Sequence, residues 1–330
     1  MNHPGVRSVW ASRHEQRGGR AIGQRRWAWV RLACGAAVLV VLVGSLGFGP
    51  FVQGLRDLSL AALAAAMVIT ALSILCAAWR WRLVARGLGL DVPLGAAFTA
   101  CYRAAFLNST LPGGVLGDVH RAVDRGRRTG ELGRTVRSVA WERSLGQGVQ
   151  VALTVVVLLA MPSPIRTPLV VAAVLAVAAG VPIVLLLRGR PVRGRGWPSR
   201  VLRAAVEDLT AILRGPRVWL GIVAASLLVA LGHAAVFVVA VRASGETVPL
   251  GTALPLALVV LLAAAIPANL AGWGPREGAA AWAFGFAGLG AAQGVTVSVM
   301  YGVMALAATL PGALALVPLR RAAPEAVSRA

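Results

Sequence analysis

The sequence predicts an all-α, polytopic membrane protein with about six full transmembrane helices and two opposed re-entrant hairpins. Of its 330 residues, 58% are hydrophobic, and they form blocks such as Leu169–Leu187 that match the roughly 20 residues needed to cross a bilayer. The arginines collect between these blocks, where they orient membrane helices. Prolines and glycines follow Pro93–Leu111 and interrupt Leu250–Gly290. Such breaks predict a chain that turns back inside the membrane.

The first element is a basic tail. Residues 1–31 hold seven arginines and one acid and predict a disordered cytoplasmic segment. No A-x-A-like site follows the next apolar block, so Leu32–Phe48 predicts a retained membrane helix rather than a cleaved signal. Leu58–Trp79 predicts the second crossing, and the aromatic and basic residues at its end, 79–82, predict a membrane interface.

The segment that follows has arginines on both flanks, at 80–86 and at 121–137. Both flanks are therefore predicted to be cytoplasmic, which a single crossing cannot satisfy. We predict a re-entrant hairpin that enters from inside; the alternative is an amphipathic helix lying flat at the interface. The residues predicted to shape the hairpin tip are Pro112, Gly113, Gly114 and Gly117.

The middle of the chain predicts three crossings, at Val139–Met161, Leu169–Leu187 and Val218–Val241. Between the second and third of these, Arg188–Arg217 contains eight arginines and predicts a cytoplasmic loop. An amphipathic helix is expected within that loop, at Val201–Leu213.

The last crossing, Thr296–Val317, precedes a short basic tail, residues 319–330, that is predicted to be cytoplasmic. Leu250–Gly290 must then begin and end on the outer side. Each of its arms reaches only about 25 Å at 1.5 Å per residue, which predicts a second hairpin entering from outside. The residues predicted to shape its tip are Pro267, Gly272, Gly274 and Pro275.

The distribution of arginine supports this topology. The proposed loops place 27 arginines inside and three outside, as expected for a plasma-membrane protein with both termini in the cytoplasm. Both tips also place an apolar residue and a proline before glycines, an acid and an arginine. Opposed broken elements in two halves are typical of inverted-repeat transporters with a site near the midplane.

Charged side chains inside the predicted membrane region are the candidate functional residues, because an unpaired ion there costs about 2.5–3.5 kcal/mol. We expect the arginines to bind phosphate and the carboxylates to hold an amine or to orient the arginines. The alternative is a buried ion-pair network that joins the hairpins. The candidate substrate-binding residues are Arg103, Asp118, Arg121, Glu142, Arg143, Asn269, Arg276 and Glu277.

The second hairpin contains an adjacent pair of opposite charges. Neighbours on a helix point about 100° apart, so Arg276 and Glu277 are each predicted to find a partner elsewhere, among the other candidates. Pro275 predicts the start of a helix over Arg276–Gly290. The free N–H groups at its start would suit an anion.

No metal site or cofactor is predicted. The three cysteines lack metal-type spacing, and His120 has no ligand near it besides Asp118. No Walker A, G-x-S-x-G or H-E-x-x-H motif occurs in a supporting context. The formal charge of +21 is spread between apolar blocks, which favours anionic lipid over nucleic acid as its partner.

These motifs resemble the lysylphosphatidylglycerol synthase transmembrane, or flippase-like, family. The matching segments are Pro112-Gly-Gly-x-x-Gly-Asp-x-x-Arg121, Glu142-Arg143, Pro267-x-x-x-x-Gly-x-Gly-x-Arg276-Glu277 and Leu310-Pro311-Gly312. The resemblance implies a flippase-like domain over 32–318 with a two-hairpin inverted-repeat build. It also implies movement of aminoacylated phospholipids or related lipids between leaflets. The full synthase adds a soluble aminoacyl-transferase domain, which we do not expect here.

We therefore predict a lipid flippase and not an enzyme, with an anionic or aminoacylated phospholipid as substrate. A second copy of the chain or a separate cytoplasmic synthase would be its protein partner. One alternative is an integral membrane enzyme acting on lipid, although the outer loops offer only Asp57 and Glu246 as acids. Another is a non-transporting membrane subunit of a cell-envelope complex, anchoring its partner through Arg188–Arg217.

Overall fold

The computed structural model describes residues 37–161, 165–167, 197–266 and 273–316, and the regular structure in these ranges is helical. Several predictions fall elsewhere. The tails at 1–31 and 319–330, the crossing at 169–187, and three predicted residues (two of the second tip and one candidate for substrate binding) lie outside the described residues. Those three residues are Pro267, Asn269 and Gly272.

Within each described range, short connections join one helix to the next. In chain order they are α1 (Ala37–Leu46), α2 (Gly49–Arg56), α3 (Leu60–Gly87), α4 (Leu94–Thr110), α5 (Leu116–Thr129), α6 (Leu132–Ala160), α7 (Trp197–Ile212), α8 (Pro216–Ala243), α9 (Leu250–Ala264), α10 (Pro275–Phe286), α11 (Ala291–Thr309) and α12 (Pro311–Leu314). The amphipathic helix predicted at Val201–Leu213 is confirmed as α7.

In the described part of the chain, four spans are long and apolar enough to cross a membrane: α3, α6, α8 and the run from α11 through α12. They correspond to four of the predicted crossings, so the chain is a multi-pass helical membrane protein. The described part of the predicted helix Leu32–Phe48 is α1, which ends at Leu46, and the chain then continues as a second helix, α2. α1 and α2 meet at a bend of 92°, where Gly47 has a φ of +73°, and the pair would form at most a broken fifth span.

Each predicted hairpin region contains two packed helices. α4 packs against α5, and α9 packs against α10. Gly113 and Gly114 form the turn between α4 and α5 with positive φ angles of 89° and 60°, a region that glycine enters without steric cost. The predicted tip is therefore a turn, although Gly117 already belongs to α5. α10 ends at Phe286, four residues before the predicted Gly290.

The order of elements occurs twice. A long helix, two shorter packed helices and another long helix appear in α3–α6 and again in α8–α11. The halves join where α3 packs along α8 and where α11 packs against α3 and α4. In the second half, Phe237 of α8 contacts the rings of Phe284 and Tyr301 at centroid distances of 6.3 and 5.7 Å.

Glycines permit the closest helix contacts. A Cβ atom added to Gly117 of α5 would lie 2.1 Å from the backbone oxygen of Ala104 of α4. A Cβ added to Gly312 would lie 2.3 Å from the backbone oxygen of Tyr102. Because the opposing atoms belong to backbone, a larger residue could be accommodated only if the helices moved apart.

We expect Gly117→Ala to destabilise the protein by about 1–3 kcal/mol, since overpacking forces a backbone shift. Gly95→Ala is the matched control, because Gly95 belongs to α4 of the same pair and its added Cβ meets no atom within 4 Å. Thermal unfolding of the purified protein in detergent would measure both changes. Equal unfolding temperatures for the two variants would show that α4 and α5 do not approach this closely.

Candidate functional site

A cavity of about 270 Å³ lies where the two halves meet. Helices α3, α4, α5, α6, α8 and α11 all contribute to its wall. Much of that wall is polar although the surrounding helices are apolar, which makes the cavity the candidate site. Uncharged polar residues along it include Thr70, Ser73, Gln147, Gln150, Ser226 and His233.

Glu142 of α6 is the centre of an ion-pair network in this cavity. Its Oε1 accepts hydrogen bonds from Arg80 of α3, through Nε at 2.9 Å and through Nη2. Its Oε2 accepts a hydrogen bond from Nη2 of Arg121 of α5 at 2.5 Å. Glu142 is only 2% exposed, so these two guanidinium groups replace the water that the carboxylate has lost.

Asp118 extends the network toward the hairpin turn. It accepts hydrogen bonds from Nε of Arg121 and from Nδ2 of Asn108, both at 2.9 Å. It also pairs with Nε of Arg143 at 3.1 Å. Asn108 in turn accepts the backbone N–H of Gly117 at 2.7 Å, so one amide side chain connects α4 to the start of α5.

The charges along the cavity do not cancel. Arg80, Arg121 and Arg143 face two carboxylates, those of Asp118 and Glu142, which leaves one positive charge. The side chain of Arg143 is 45% exposed, whereas that of Arg121 is 4% exposed. Arg143 is therefore the arginine of the network that can move with the smallest loss of packing.

Arg80 is a site residue that the sequence prediction missed. α3 runs eight residues past the predicted end at Trp79, so Arg80 and Trp81 lie within the helix, and both side chains are buried. Arg80 donates to Ser226 Oγ of α8 at 3.1 Å. A Cβ on Gly146 would lie 2.6 Å from its guanidinium. The sequence signal was Gly146, one helical turn after Glu142, which leaves room for a long side chain.

Trp81 packs against Arg121, a member of the same network. The guanidinium of Arg121 lies over the Trp81 ring, 4.8 Å from its centroid, in the geometry of a cation–π contact. The Trp81 indole N–H donates to Ser138 Oγ at 3.1 Å. The ring is therefore held in place and restricts the positions that the Arg121 side chain can adopt.

Arg276 and Glu277 form a second, separate cluster, and the prediction that they would not pair is wrong. Nε of Arg276 donates to Oε1 of Glu277 at 2.9 Å, and to Ser298 Oγ of α11 at 3.0 Å. Glu277 is the third residue of α10, and its Oε2 accepts the N–H of Gly274 at 2.7 Å. Because its carboxylate folds back over the helix start, it comes within reach of the long Arg276 side chain.

This second cluster is closed. Pro275 begins α10 as predicted, but Glu277 occupies the helix start where an external anion was expected. The guanidinium of Arg276 lies 5.3 Å from the centroids of both Trp273 and Tyr301. A Cβ on Gly302 would lie 2.3 Å from it. None of the partners predicted for Arg276 and Glu277 in the other hairpin pairs with them within the described residues.

One side chain connects the closed cluster to the cavity. Tyr301 of α11 covers Arg276 and also lines the cavity. Its hydroxyl lies 3.3 Å from Nδ1 of His233 of α8, another cavity residue. The remaining predicted site residue, Arg103, does not line this cavity and pairs instead with Asp124 at 2.8 Å.

The family model described as "Lysylphosphatidylglycerol synthase TM region" matches residues 28–312 of this chain. The match includes both hairpin regions, the central ion-pair network and the Arg276–Glu277 cluster. No curated protein and no solved structure matches the chain.

Replacing Arg80 with Met should cost about 3–5 kcal/mol, because it removes one partner of a buried carboxylate. Arg134→Met is the control, since Arg134 and Glu131 form an exposed pair at 3.3 Å, and such pairs contribute about 1 kcal/mol or less. Chemical unfolding in mixed micelles would measure both variants. Similar losses for the two would mean that Glu142 does not depend on Arg80.

Proposed function

The chain belongs to the lysylphosphatidylglycerol synthase TM region family, and we propose that it is a lipid flippase. In this proposal the phosphate-bearing headgroup of a phospholipid crosses the membrane through the central cavity. Membership of the family supports a function with membrane lipids. The charged cavity between the two halves is the observation that favours transport.

The charge of the cavity favours an anionic headgroup. Three arginines and two carboxylates line it, and the phosphodiester of a phospholipid carries one negative charge that would neutralise the remaining positive charge. Arginine binds phosphate oxygens through paired N–H donors. An aminoacylated headgroup would enter by the same phosphate contact, with its amine beside Asp118.

The size of the cavity favours a headgroup rather than a whole lipid. Its volume of about 270 Å³ lies just below the range of about 300–1,000 Å³ found for sites that enclose drug-sized ligands. The acyl chains would stay in the bilayer while the headgroup crosses. Only the polar part of the lipid then has to leave water, and the cavity supplies hydrogen bonds in exchange.

The network divides into a rigid part and a movable part. Arg80, Arg121 and Glu142 are buried and mutually paired, and they would hold the helices in place during transport. Arg143 is half-exposed and has one carboxylate partner, Asp118. We propose that the headgroup binds when a lipid phosphate replaces Asp118 as the partner of Arg143. Every arginine of the network then still has an anionic partner.

We propose no catalytic step for this chain. A general base must be free to accept a proton at working pH, whereas arginines hold the carboxylates of both Glu142 and Glu277. Three partners are proposed. The first is the phospholipid itself, and the others are a second copy of the chain or a separate cytoplasmic synthase that supplies modified lipid.

For the membrane topology, we propose six crossings, with α4–α5 and α9–α10 as re-entrant hairpins from opposite faces of the plasma membrane. α4 has 17 residues and α9 has 15, fewer than the roughly 20 that a complete crossing needs. The arginine distribution supports cytoplasmic termini.

Arg143→Gln tests the transport proposal, because it removes the remaining positive charge from the cavity. We expect translocation of phosphatidylglycerol to slow at least 10-fold, since a hydrogen bond to a charged group contributes about 1.5–3 kcal/mol. The assay is the rate at which dithionite reduces fluorescent, acyl-chain-labelled phosphatidylglycerol from the inner leaflet of proteoliposomes, with acyl-chain-labelled phosphatidylcholine measured in parallel.

Arg134→Gln is the matched control for this assay. It makes the same change on α6 but at an exposed ion pair outside the cavity, so its rate should stay close to that of the wild type. Wild-type vesicles that translocate none of the tested lipids, or an Arg143→Gln variant as fast as the control, would contradict the proposal.

Cysteine accessibility tests the two hairpins. We expect Gly95→Cys to react with a membrane-impermeant maleimide only from inside and Ala292→Cys only from outside, each compared with the unsubstituted protein. Ala292 is chosen because it is exposed, whereas nearby Gly290 has a φ of +89° that disfavours cysteine. Labelling of both positions from the same side would rule out opposed hairpins.

A further inference from the structure

A second polar cavity, of about 350 Å³, lies between α4 and α5 with Trp81 of α3 in its wall. We propose that this cavity, here named the vestibule, binds the phosphate group of a lipid before the headgroup reaches the central cavity. The proposal rests on the flippase function proposed above. The charged residues that line the vestibule are Arg103, Arg121, Asp124, Arg125 and Arg128.

The helix spacing explains how the vestibule forms. Arg121, Asp124, Arg125 and Arg128 are separated by three, four and seven positions, which places them on one face of α5. The facing residues of α4 are small: Gly95, Ala96, Thr99 and Ala100 line the opposite wall. Long cationic side chains therefore surround an open space instead of packing against bulky neighbours.

The vestibule has fewer carboxylates than its arginines need. Asp124 accepts a hydrogen bond from Arg103 Nη2 at 2.8 Å and another from Arg128 Nε at 3.0 Å. Arg125 donates to the backbone oxygen of Asp91, whose own carboxylate pairs with Arg86 at 3.8 Å. Apart from Arg121, which belongs to the central network, the lining of three arginines and one aspartate therefore carries a net charge of +2.

Arg103 has an unused donor. Its side chain is 14% exposed, and its Nε is one of two buried side-chain nitrogen or oxygen atoms in the described part of the chain without a hydrogen-bond partner. Buried polar atoms normally have a partner, so one without it calls for a ligand or an ordered solvent molecule. A phosphate group in the vestibule would offset the excess charge, and rotation of the Arg103 side chain would bring its Nε within reach of a phosphate oxygen.

Arg121 connects the two cavities. Arg121 lines both the vestibule and the central cavity, and its guanidinium lies over the ring of Trp81, another vestibule residue. A phosphate bound beside Arg103 and Arg125 can thus contact Arg121 before it reaches Glu142 and Arg143. The vestibule lies toward Gly95 and Arg128, far from the turn at Gly113, on the side that the arginine distribution predicts to be cytoplasmic.

Calorimetric titration of the full chain in detergent tests this inference, with soluble dihexanoyl phosphatidylglycerol as the probe. Arg143→Gln is used as the background, so that the central cavity contributes less to the binding. We expect Arg103→Gln with Arg125→Gln to weaken the remaining binding at least 10-fold. The single variant Arg125→Gln should weaken it by a smaller factor, and Arg125→Lys should restore most of it because the charge returns.

Arg127→Gln is the matched control. Arg127 belongs to α5 and carries the same charge, but it does not line the vestibule. It lines a neighbouring groove with Val119 and Val123, and that groove shares only Asp124 and Arg128 with the vestibule. Its affinity for the probe should equal that of the background. Equal affinity in the vestibule variants and in this control would overturn the proposal, and Arg125→Gln decides the question if the double variant does not fold.

Inorganic phosphate, titrated in a parallel arm, separates the two sources of the phosphate group. Binding at least 10-fold weaker than that of phosphatidylglycerol supports a lipid site, whereas equal binding overturns the lipid assignment. A different result would contradict the proposed transport function without contradicting the vestibule. Phosphatidylglycerol that binds in the vestibule but is never translocated would contradict the flippase proposal alone.

Discussion

The structure depends on one buried carboxylate, Glu142, held between Arg80 and Arg121. Its two partners come from α3 and α5, so a single group from α6 joins three helices at the centre of the first half. Burying this carboxylate without both arginines would cost several kcal/mol. Helices α3, α5 and α6 must therefore pack together at the position of this ion-pair network. Glycine at 146 makes the meeting sterically possible, since any Cβ there would contact the Arg80 guanidinium.

The second half has a similar arrangement of an arginine, a polar acceptor and a glycine, but its carboxylate lies on a different helix. In both halves the long helix after the hairpin has a polar acceptor and, four residues later, a glycine, with an arginine against both. The acceptor is Glu142 in α6 but Ser298 in α11, whereas the carboxylate of the second half, Glu277, lies on the hairpin helix α10 beside its own arginine. One unit is consequently open to the cavity and the other is sealed. In the proposed transport function, that asymmetry would bring the substrate closer to the first half.

Burial and charge together explain why a cavity persists among such apolar helices. Large side chains would fill it in a core optimised for packing, but the helix faces around it carry small residues and arginines whose charged heads need polar neighbours. Collapse would bring guanidinium groups together without enough carboxylates, and this holds for the central cavity and the vestibule alike. The excess of positive charge opposes collapse of both spaces and would suit the phosphate group of the proposed lipid substrate.

Composition and pattern alone determined the helical membrane class, the limits of α4, the turn after it and the proline that begins α10. These features depend on local properties: hydropathy over about 20 residues, proline geometry and the conformational freedom of glycine. Pairing of the charges was decided only by the tertiary structure. Arg80 faces inward, Arg276 pairs with its own neighbour, and Arg103 belongs to another cavity, because the partner of a long side chain is set by the groups that packing brings around it. Sequence spacing carries no information about that distance between helices.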